Sequence, residues 1–171
     1  ALLQASIDCG DPVIYLEHKE LWGEVGDVDP DARVELGRAC VRRTGSDVTL
    51  VAWSKAVHWA LAAAAEAATR GIDVEVIDLR TLWPWDRDAV LASAKRLLVV
   101  HEAVEVAGFG AEIAATAAEA LGIRVARLGA PRIPVGYAAT LEAEARLTPG
   151  AILRKLESLT DRAHPAMPGS P

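Results

Sequence analysis

The stretch Leu97–Gly122, LLVVHEAVEVAGFGAEIAATAAEALG, decides the fold, because it contains one strand, one loop and one helix in succession. The run LLVV is apolar without alternation, which is typical of a strand that is covered on both faces. His101 and Glu102 end this run, and Gly108 and Gly110 lead into an Ala-rich helical pattern. The layout leaves three alternatives open: a nucleotide site, an acid/base site or a structural joint.

Working outward from this stretch, the same alternation of strand and helix continues on both sides. Further apolar runs rich in Val, Ile and Leu predict strands at 48–53 (VTLVAW), 74–79 (VEVIDL) and 123–128 (IRVARL). Helical patterns lie at 54–70, 86–96, 108–121, 140–147 and 149–159. We therefore expect an α/β fold, a three-layer αβα sandwich around a mainly parallel central sheet of about five strands.

The two ends of the chain differ from this pattern. Residues 1–7 read as the end of a helix, residues 12–18 (PVIYLEH) predict a strand, and residues 21–47 carry Gly, Pro and Asp throughout and predict a linker. Residues 161–171, DRAHPAMPGSP, predict a flexible tail. We expect the folded domain to span 48–160, and the beginning to be the end of something larger.

Charge and hydropathy exclude several classes of function. The net charge is −6 without any basic block, so a phosphate footprint for nucleic acid is not expected. No apolar run approaches the roughly 20 residues that a membrane helix needs. The start has no signal-peptide pattern, and Cys9 and Cys40 have no metal-ligand spacing, so we expect reduced thiols and a cytoplasmic location.

The glycine loop is a weak candidate for phosphate binding. The dinucleotide fingerprint G-x-G-x-x-G needs a third glycine where Ile113 stands, and no Gly-Lys-Ser/Thr follows. His101 could act as a general acid or base oriented by Glu102, since ligands gather at the carboxyl ends of parallel strands. The favoured alternative is that this pair fixes the loop or faces a partner, because no nucleophile stands nearby in sequence.

Two aromatic residues, one on a predicted helix and one in a loop, are candidates for an interface. Trp59 falls on the polar stripe of its predicted helix, where another chain or domain would cover it. Phe109 is expected to plug into an adjacent surface, and Glu112 begins the narrow polar stripe of the following helix.

The remaining polar residues do not assemble a recognisable catalytic set. His18 and His58 have no metal-ligand companion at a suitable spacing, and Ser54 and Ser93 lack a G-x-S-x-G context. The pattern before the second helix predicts Asp86 as its N-cap. The residues alone therefore indicate an α/β domain without a complete site, which is typical of one part of an assembly.

Several segments of the sequence resemble a known family. GSDVTLVAWSKAVHWALAAA, GIDVEVIDLRTLWPWDRDAVLASAKRLLVVHEA and GFGAEIAATAAEALG resemble the C-terminal, transketolase-type domain of the E1 β subunit of 2-oxo acid dehydrogenases. DPVIYLEHKELW resembles the strand that ends the preceding pyrimidine-binding domain of that subunit, which assigns residues 1–20 to its end. The family often has Gly where Ser54 stands, and PWD with HEA leans toward the branched-chain type over the pyruvate type.

The resemblance implies a role without catalytic residues in this chain. The whole enzyme decarboxylates a 2-oxo acid with thiamine diphosphate and Mg²⁺, whose contacts come from the α subunit and the pyrimidine-binding domain. The resemblance therefore implies no catalytic, cofactor-binding or metal-binding residue here, and partners in the E1 α subunit, a second β subunit and the E2 subunit-binding domain. It also implies that the stretch HEAVEVAGFGAEIAA is a structural and interface joint, with His101, Glu102, Phe109 and Glu112 as its candidate contact residues. The alternative is a stand-alone α/β scaffold that binds a protein without catalytic activity.

Overall fold

The computed structural model describes residues 1–160. The helices are α1 (Leu2–Asp8), α2 (Lys55–Thr69), α3 (Arg87–Ser93), α4 (Gly110–Leu121), α5 (Ala139–Ala145) and α6 (Pro149–Thr160), with a 3-10 turn at Lys19–Leu21. The strands are β1 (Cys40–Arg43), β2 (Val48–Ala52), β3 (Val74–Asp78), β4 (Leu97–Val104) and β5 (Val125–Ala130). No helix among these residues is long and apolar enough to span a bilayer.

The five strands form one sheet in the order β1-β3-β2-β4-β5. Strands β3, β2, β4 and β5 are parallel, and β1 pairs antiparallel with β3. Helices α2 and α6 cover one face of the sheet, whereas α3 and α4 cover the other. The prediction of a three-layer αβα sandwich with a mainly parallel sheet is therefore confirmed.

The central strands are buried on both faces, which explains their unbroken apolar runs. In β2, Leu50 joins the core beneath α2 and α6, and its neighbour Val51 joins the core beneath α3 and α4. In β4, Leu98 and Val99 divide in the same way. Successive side chains point to opposite faces of a strand, so one apolar run supplies both cores.

Helix α2 approaches the sheet closely because its buried face is built from alanine. Ala56, Ala60, Ala63, Ala64 and Ala67 are fully buried at helical spacing. Helix α6 packs beside α2 with the larger side chains of Ile152, Leu153, Leu156 and Leu159. At the outer end of this pair, Arg70 binds Glu66 and Glu157, each at 2.6 Å. The two helices thus form one layer.

The first 47 residues are where the structure departs most from the sequence analysis. The predicted strand at 12–18 is wrong, because this segment has no ladder partner among residues 1–160. The predicted linker ends in strand β1, a polar edge strand whose sequence CVRR carries little apolar pattern. Helix α1 agrees with the helix end expected at 1–7. The predicted tail, 161–171, lies outside the described residues.

Candidate functional site

The chain order of the strands defines the position where a ligand crevice would form. The connection from β2 to β3 runs to one side and the connection from β3 to β4 runs to the other, so the order reverses between β2 and β4. In open α/β sheets, ligands bind at such a switch point, beyond the carboxyl ends of the strands. Trp53 follows β2 directly and His101 lies in β4, so both residues occupy this position.

The crevice is filled by an aromatic stack. The rings of Trp53 and His101 lie 5.1 Å apart at 16°. Phe109 meets Trp53 edge-on at 6.1 Å and Trp85 edge-on at 6.5 Å. The predicted plug Phe109 is therefore seated among aromatic residues of its own chain, and the side chains leave the switch point packed rather than open.

His101 is fully buried and has no hydrogen-bond partner. Neither Nδ1 nor Nε2 finds a donor or acceptor among residues 1–160. Burial lowers the pKa of the His101 imidazole below its ordinary value of 6.5. The Ala103 backbone lies near enough to oppose this shift in part, although its position does not meet hydrogen-bond geometry. His101 is thus a fully buried ring whose surroundings favour its neutral form.

The two glycines of the loop make room for this ring. A Cβ on Gly110 would lie 2.5 Å from Nε2 of His101 and 2.6 Å from its Cδ2. A Cβ on Gly108 would lie 2.6 Å from its Cε1. Atoms of real side chains do not approach so closely, so only glycine lets the start of α4 pack on His101. Of the three alternatives for this stretch, the geometry favours the structural joint.

Glu102 pairs with a residue that the sequence analysis did not connect to it. His101 and Glu102 point to opposite faces of β4, so they cannot form the predicted pair. The Glu102 carboxylate instead lies 2.8 Å from Nε2 of His18. The Glu20 backbone N–H donates to Nδ1 of His18 at 3.2 Å. Both ring nitrogens of His18 are therefore occupied, which suits a fastening role better than proton transfer.

An ion pair holds the same segment. Arg146, which follows α5, contacts Glu20 at 2.5 Å and Glu142 at 3.0 Å. The Arg146 hydrogen bond lowers the pKa of the Glu20 carboxyl and raises that of the guanidinium. The 3-10 turn at Lys19–Leu21 is thereby fastened to β4 and α5. Sequence reasoning missed His18 and Glu20 as contacts of this edge, since nothing local marks partners so distant in the chain.

The other predicted interface residues lie apart from this cluster. Trp59 is half-buried against the core beneath α2 and α6 of its own chain. Glu112 is exposed in the first turn of α4. Neither position is tested as an interface by the structure of a single chain. Among residues 1–160, no group of three His, Cys, Asp or Glu side chains could hold a metal ion.

Ser54 occupies the turn from β2 to α2 in a strained conformation. Its φ of 55° and ψ of −138° lie in a region that glycine adopts freely, and its side chain makes no capping hydrogen bond. The family resemblance expects glycine here, and the backbone supplies the physical reason. The side chain is exposed, so it makes no packing contribution that would compensate for the strain.

We expect Ser54→Gly to raise the free energy of unfolding by about 1 kcal/mol, because the left-handed backbone is relieved. Urea denaturation followed by circular dichroism measures this change. Lys55→Gly, one residue later with helical dihedrals, is the matched control and should lower stability by about 0.5–1 kcal/mol. Equal losses for both variants would contradict the strain at Ser54.

Comparison with known proteins agrees with this architecture. Residues 37–152 match the family model of the transketolase C-terminal domain. The chain is 38% identical over 160 residues to the acetoin:2,6-dichlorophenolindophenol oxidoreductase subunit beta of Bacillus subtilis, covering 89% of this chain and 47% of that protein. It is 41% identical over 157 residues to the mitochondrial pyruvate dehydrogenase E1 component subunit beta of Drosophila melanogaster, covering 84% and 43%.

A solved structure shows the same fold at moderate sequence identity. The split gene transketolase, described as an inactive beta4 tetramer, superposes with a TM-score of 0.70 at 28% identity, over 78% of this chain and 45% of that one. The chain spans less than half the length of the curated relatives given above. Since the family model matches more than half of the chain and begins just before β1, the chain belongs to the transketolase C-terminal domain family.

Proposed function

We propose that this chain acts as the C-terminal domain of the β subunit of a thiamine-diphosphate-dependent 2-oxo acid dehydrogenase E1, of the pyruvate or branched-chain type. The observation that carries the proposal is the likeness to pyruvate dehydrogenase E1 β subunits over most of the chain. In this role the domain supports subunit association and E2 docking, and its partners are the E1 α subunit, a second β subunit and the E2 subunit-binding domain. The cytoplasmic location stays a prediction.

The described residues do not fit the cofactor. The start of α4, the candidate anion site of the sequence analysis, is closed by the His101 ring against Gly108 and Gly110. Besides Glu20, Asp78 is a carboxyl group with a shifted pKa. Burial raises the pKa of Asp78, and its carboxylate accepts the Arg80 backbone N–H at 3.2 Å. We propose that other parts of the enzyme hold the diphosphate and Mg²⁺, and we derive no catalytic step through this chain.

The segment that precedes β1 supports a role within a larger assembly. Ile14, Leu16, Trp22 and Val25 are 88%, 82%, 68% and 97% exposed, and none of them contacts either core. Monomeric proteins seldom leave such a run of large apolar side chains uncovered. We propose that residues 12–18 pack against the pyrimidine-binding domain of the same subunit.

The proposal is tested by measuring cofactor binding to this chain alone and activity after the other E1 parts are added. We expect calorimetry to detect no binding of thiamine diphosphate with Mg²⁺ to the 171-residue chain. Addition of an E1 α subunit and a separate pyrimidine-binding domain should restore 2-oxo-acid-dependent reduction of dichlorophenolindophenol. Stoichiometric cofactor binding to the chain alone, or no activity with all parts present, would overturn the proposal.

A matched variant separates docking from folding. Ile14→Ser combined with Leu16→Ser changes only exposed side chains, so the free energy of unfolding should stay within about 0.5 kcal/mol. Removing this much apolar surface from an interface should weaken association with the pyrimidine-binding domain by more than about tenfold. Sedimentation of the mixture measures the association. Unchanged association would favour the alternative, a scaffold that binds its partner through another surface.

A further inference from the structure

His101 is the most unusual side chain outside the proposed role. It is the one buried side chain among residues 1–160 whose nitrogens have no partner, and neither comparison nor proposed function uses it. A buried polar group without a hydrogen bond is destabilising, and such exceptions in a folded protein need a physical explanation. Its location between β4 and α4 makes it part of a joint between two elements rather than of one element.

The packing around the ring gives a positive charge little compensation. Trp53 stacks on one side of the imidazole and Gly108 and Gly110 pack against its edge. Neither ring nitrogen has a hydrogen-bond acceptor among residues 1–160, and the nearby Ala103 backbone opposes the effect of burial only in part. A cation over the face of a tryptophan gains a favourable interaction, yet this recovers only a small part of the desolvation of a buried, unpaired charge. The joint as folded therefore accommodates the neutral ring alone.

The charged groups that approach the ring are already engaged elsewhere. Arg127 of β5 donates to the backbone oxygen of Glu105 at 2.7 Å, and the Glu105 carboxylate accepts the Gly129 N–H at 3.3 Å. Arg127 disfavours the protonated ring and Glu105 favours it, so their effects oppose each other. On α4 the nearest carboxylate in sequence, Glu112, is exposed, and neither Trp53 nor the glycines carry charge.

We propose that His101 makes the joint between β4 and α4 acid-sensitive: uptake of one proton by the imidazole opens its contact with Trp53, Gly108 and Gly110 and releases the start of α4. The direction follows from linkage. Burial makes the His101 imidazole harder to protonate in the closed joint than in the opened one, where its pKa is the ordinary 6.5. Above pH 6.5 the ring is mostly neutral in both states, so the closed joint keeps its full stability. That stability is lost as the pH falls below this value, because the opened state binds the proton more tightly.

The experiment is hydrogen exchange of the 171-residue chain between pH 7.5 and 5.5, with rates corrected for intrinsic pH dependence. The opening constants of the amides of Ile113–Ala117 in α4 should stay constant above pH 6.5. They should rise about tenfold per pH unit below it, which is the slope for one coupled proton. The amides of α2 and α6 should not follow. A parallel rise in all helices, or no rise in α4, would overturn the proposal.

Two variants identify the titrating group. His101→Phe keeps an aromatic ring on Trp53 and removes the basic nitrogens, so the rise below pH 6.5 should shrink to less than about twofold. His18→Gln tests the alternative that the other imidazole at this edge is responsible. This variant should keep the full rise of the α4 opening constants below pH 6.5. The opposite outcome, with the dependence lost in His18→Gln and retained in His101→Phe, would overturn the proposal.

If His101→Phe does not fold, the charge of the His101 ring can be measured directly in the unmodified chain. Nitrogen-15 spectra of labelled histidine report the charge of each ring in the unmodified chain. We expect the His101 ring of the closed state to carry less charge at pH 6 than a solvent-exposed imidazole, which is already mostly charged at that pH. Titration of His101 with an ordinary midpoint and unchanged exchange in α4 would overturn the proposal. Each of these measurements concerns this chain's own fold, so its result does not depend on the proposed enzyme role.

Discussion

Gly110→Ala is expected to lower the free energy of unfolding by about 2–3 kcal/mol, although the same change in an ordinary helix is stabilising. The added Cβ would lie 2.5 Å from Nε2 of His101 and 3.2 Å from Cγ1 of Val99. Both neighbours are fully buried, so neither can move without disturbing the sheet or the stack on Trp53. Urea denaturation followed by circular dichroism measures the loss.

Gly150→Ala is the matched control, since Gly150 also lies in the first turn of a helix. A Cβ there meets no atom closer than 3.8 Å. This variant should therefore gain about 0.5–1 kcal/mol from the higher helix propensity of alanine. A Gly110→Ala protein as stable as the Gly150→Ala protein would contradict the close packing of α4 on His101.

A double-mutant cycle assigns the effect to the imidazole. His101→Ala removes the ring and leaves space, so Gly110→Ala in that background should be nearly neutral. The interaction energy between the two positions should then be about 2 kcal/mol. Additive losses would mean that the alanine at position 110 disturbs something other than the His101 ring.

The sheet could be predicted from the sequence because its information is local. The strands β2 and β4 are buried on both faces, and their unbroken apolar runs are the direct result. The edge strand β1 was missed because two of its four residues are arginine and no continuous apolar run marks it. At 12–18 the apolar residues predict a strand that does not form, since they have no neighbouring strand among residues 1–160.

The candidate site was predictable in its residues and not in its contacts. The sequence singles out His101, Glu102 and the two glycines because they interrupt a strand and a helix pattern, and the structure places them in β4 and at the entry of α4. Their partners depend on tertiary packing: Glu102 meets His18, and His101 meets Trp53. Spacing along the chain carries no signal for either contact, although the alternation of side chains along β4 already excludes a direct His101–Glu102 pair.

Asp86→Ala is the second change with a large expected effect, a loss of about 2–3 kcal/mol in the free energy of unfolding. Its Oδ1 accepts the Ala89 N–H at 3.1 Å and caps α3, as the sequence analysis predicted. Its Oδ2 accepts the Ala39 N–H at 3.0 Å and fixes the entry into β1. Loss of the cap and of a partner for a part-buried N–H each costs about 1 kcal/mol or more.

Two controls separate these contributions in the same denaturation assay. Asp88→Ala removes an exposed carboxylate from the same helical turn, so it should cost no more than about 0.5 kcal/mol. Asp86→Asn keeps one acceptor oxygen, and its amide nitrogen must then face either the Ala39 or the Ala89 N–H, so an intermediate loss is expected. If Asp86→Ala were no worse than Asp88→Ala, the carboxylate would be a surface charge only. The entry into β1 would then have to be held by the Gly37 N–H, which donates to Oγ1 of Thr81 at 3.1 Å, and by the sheet itself.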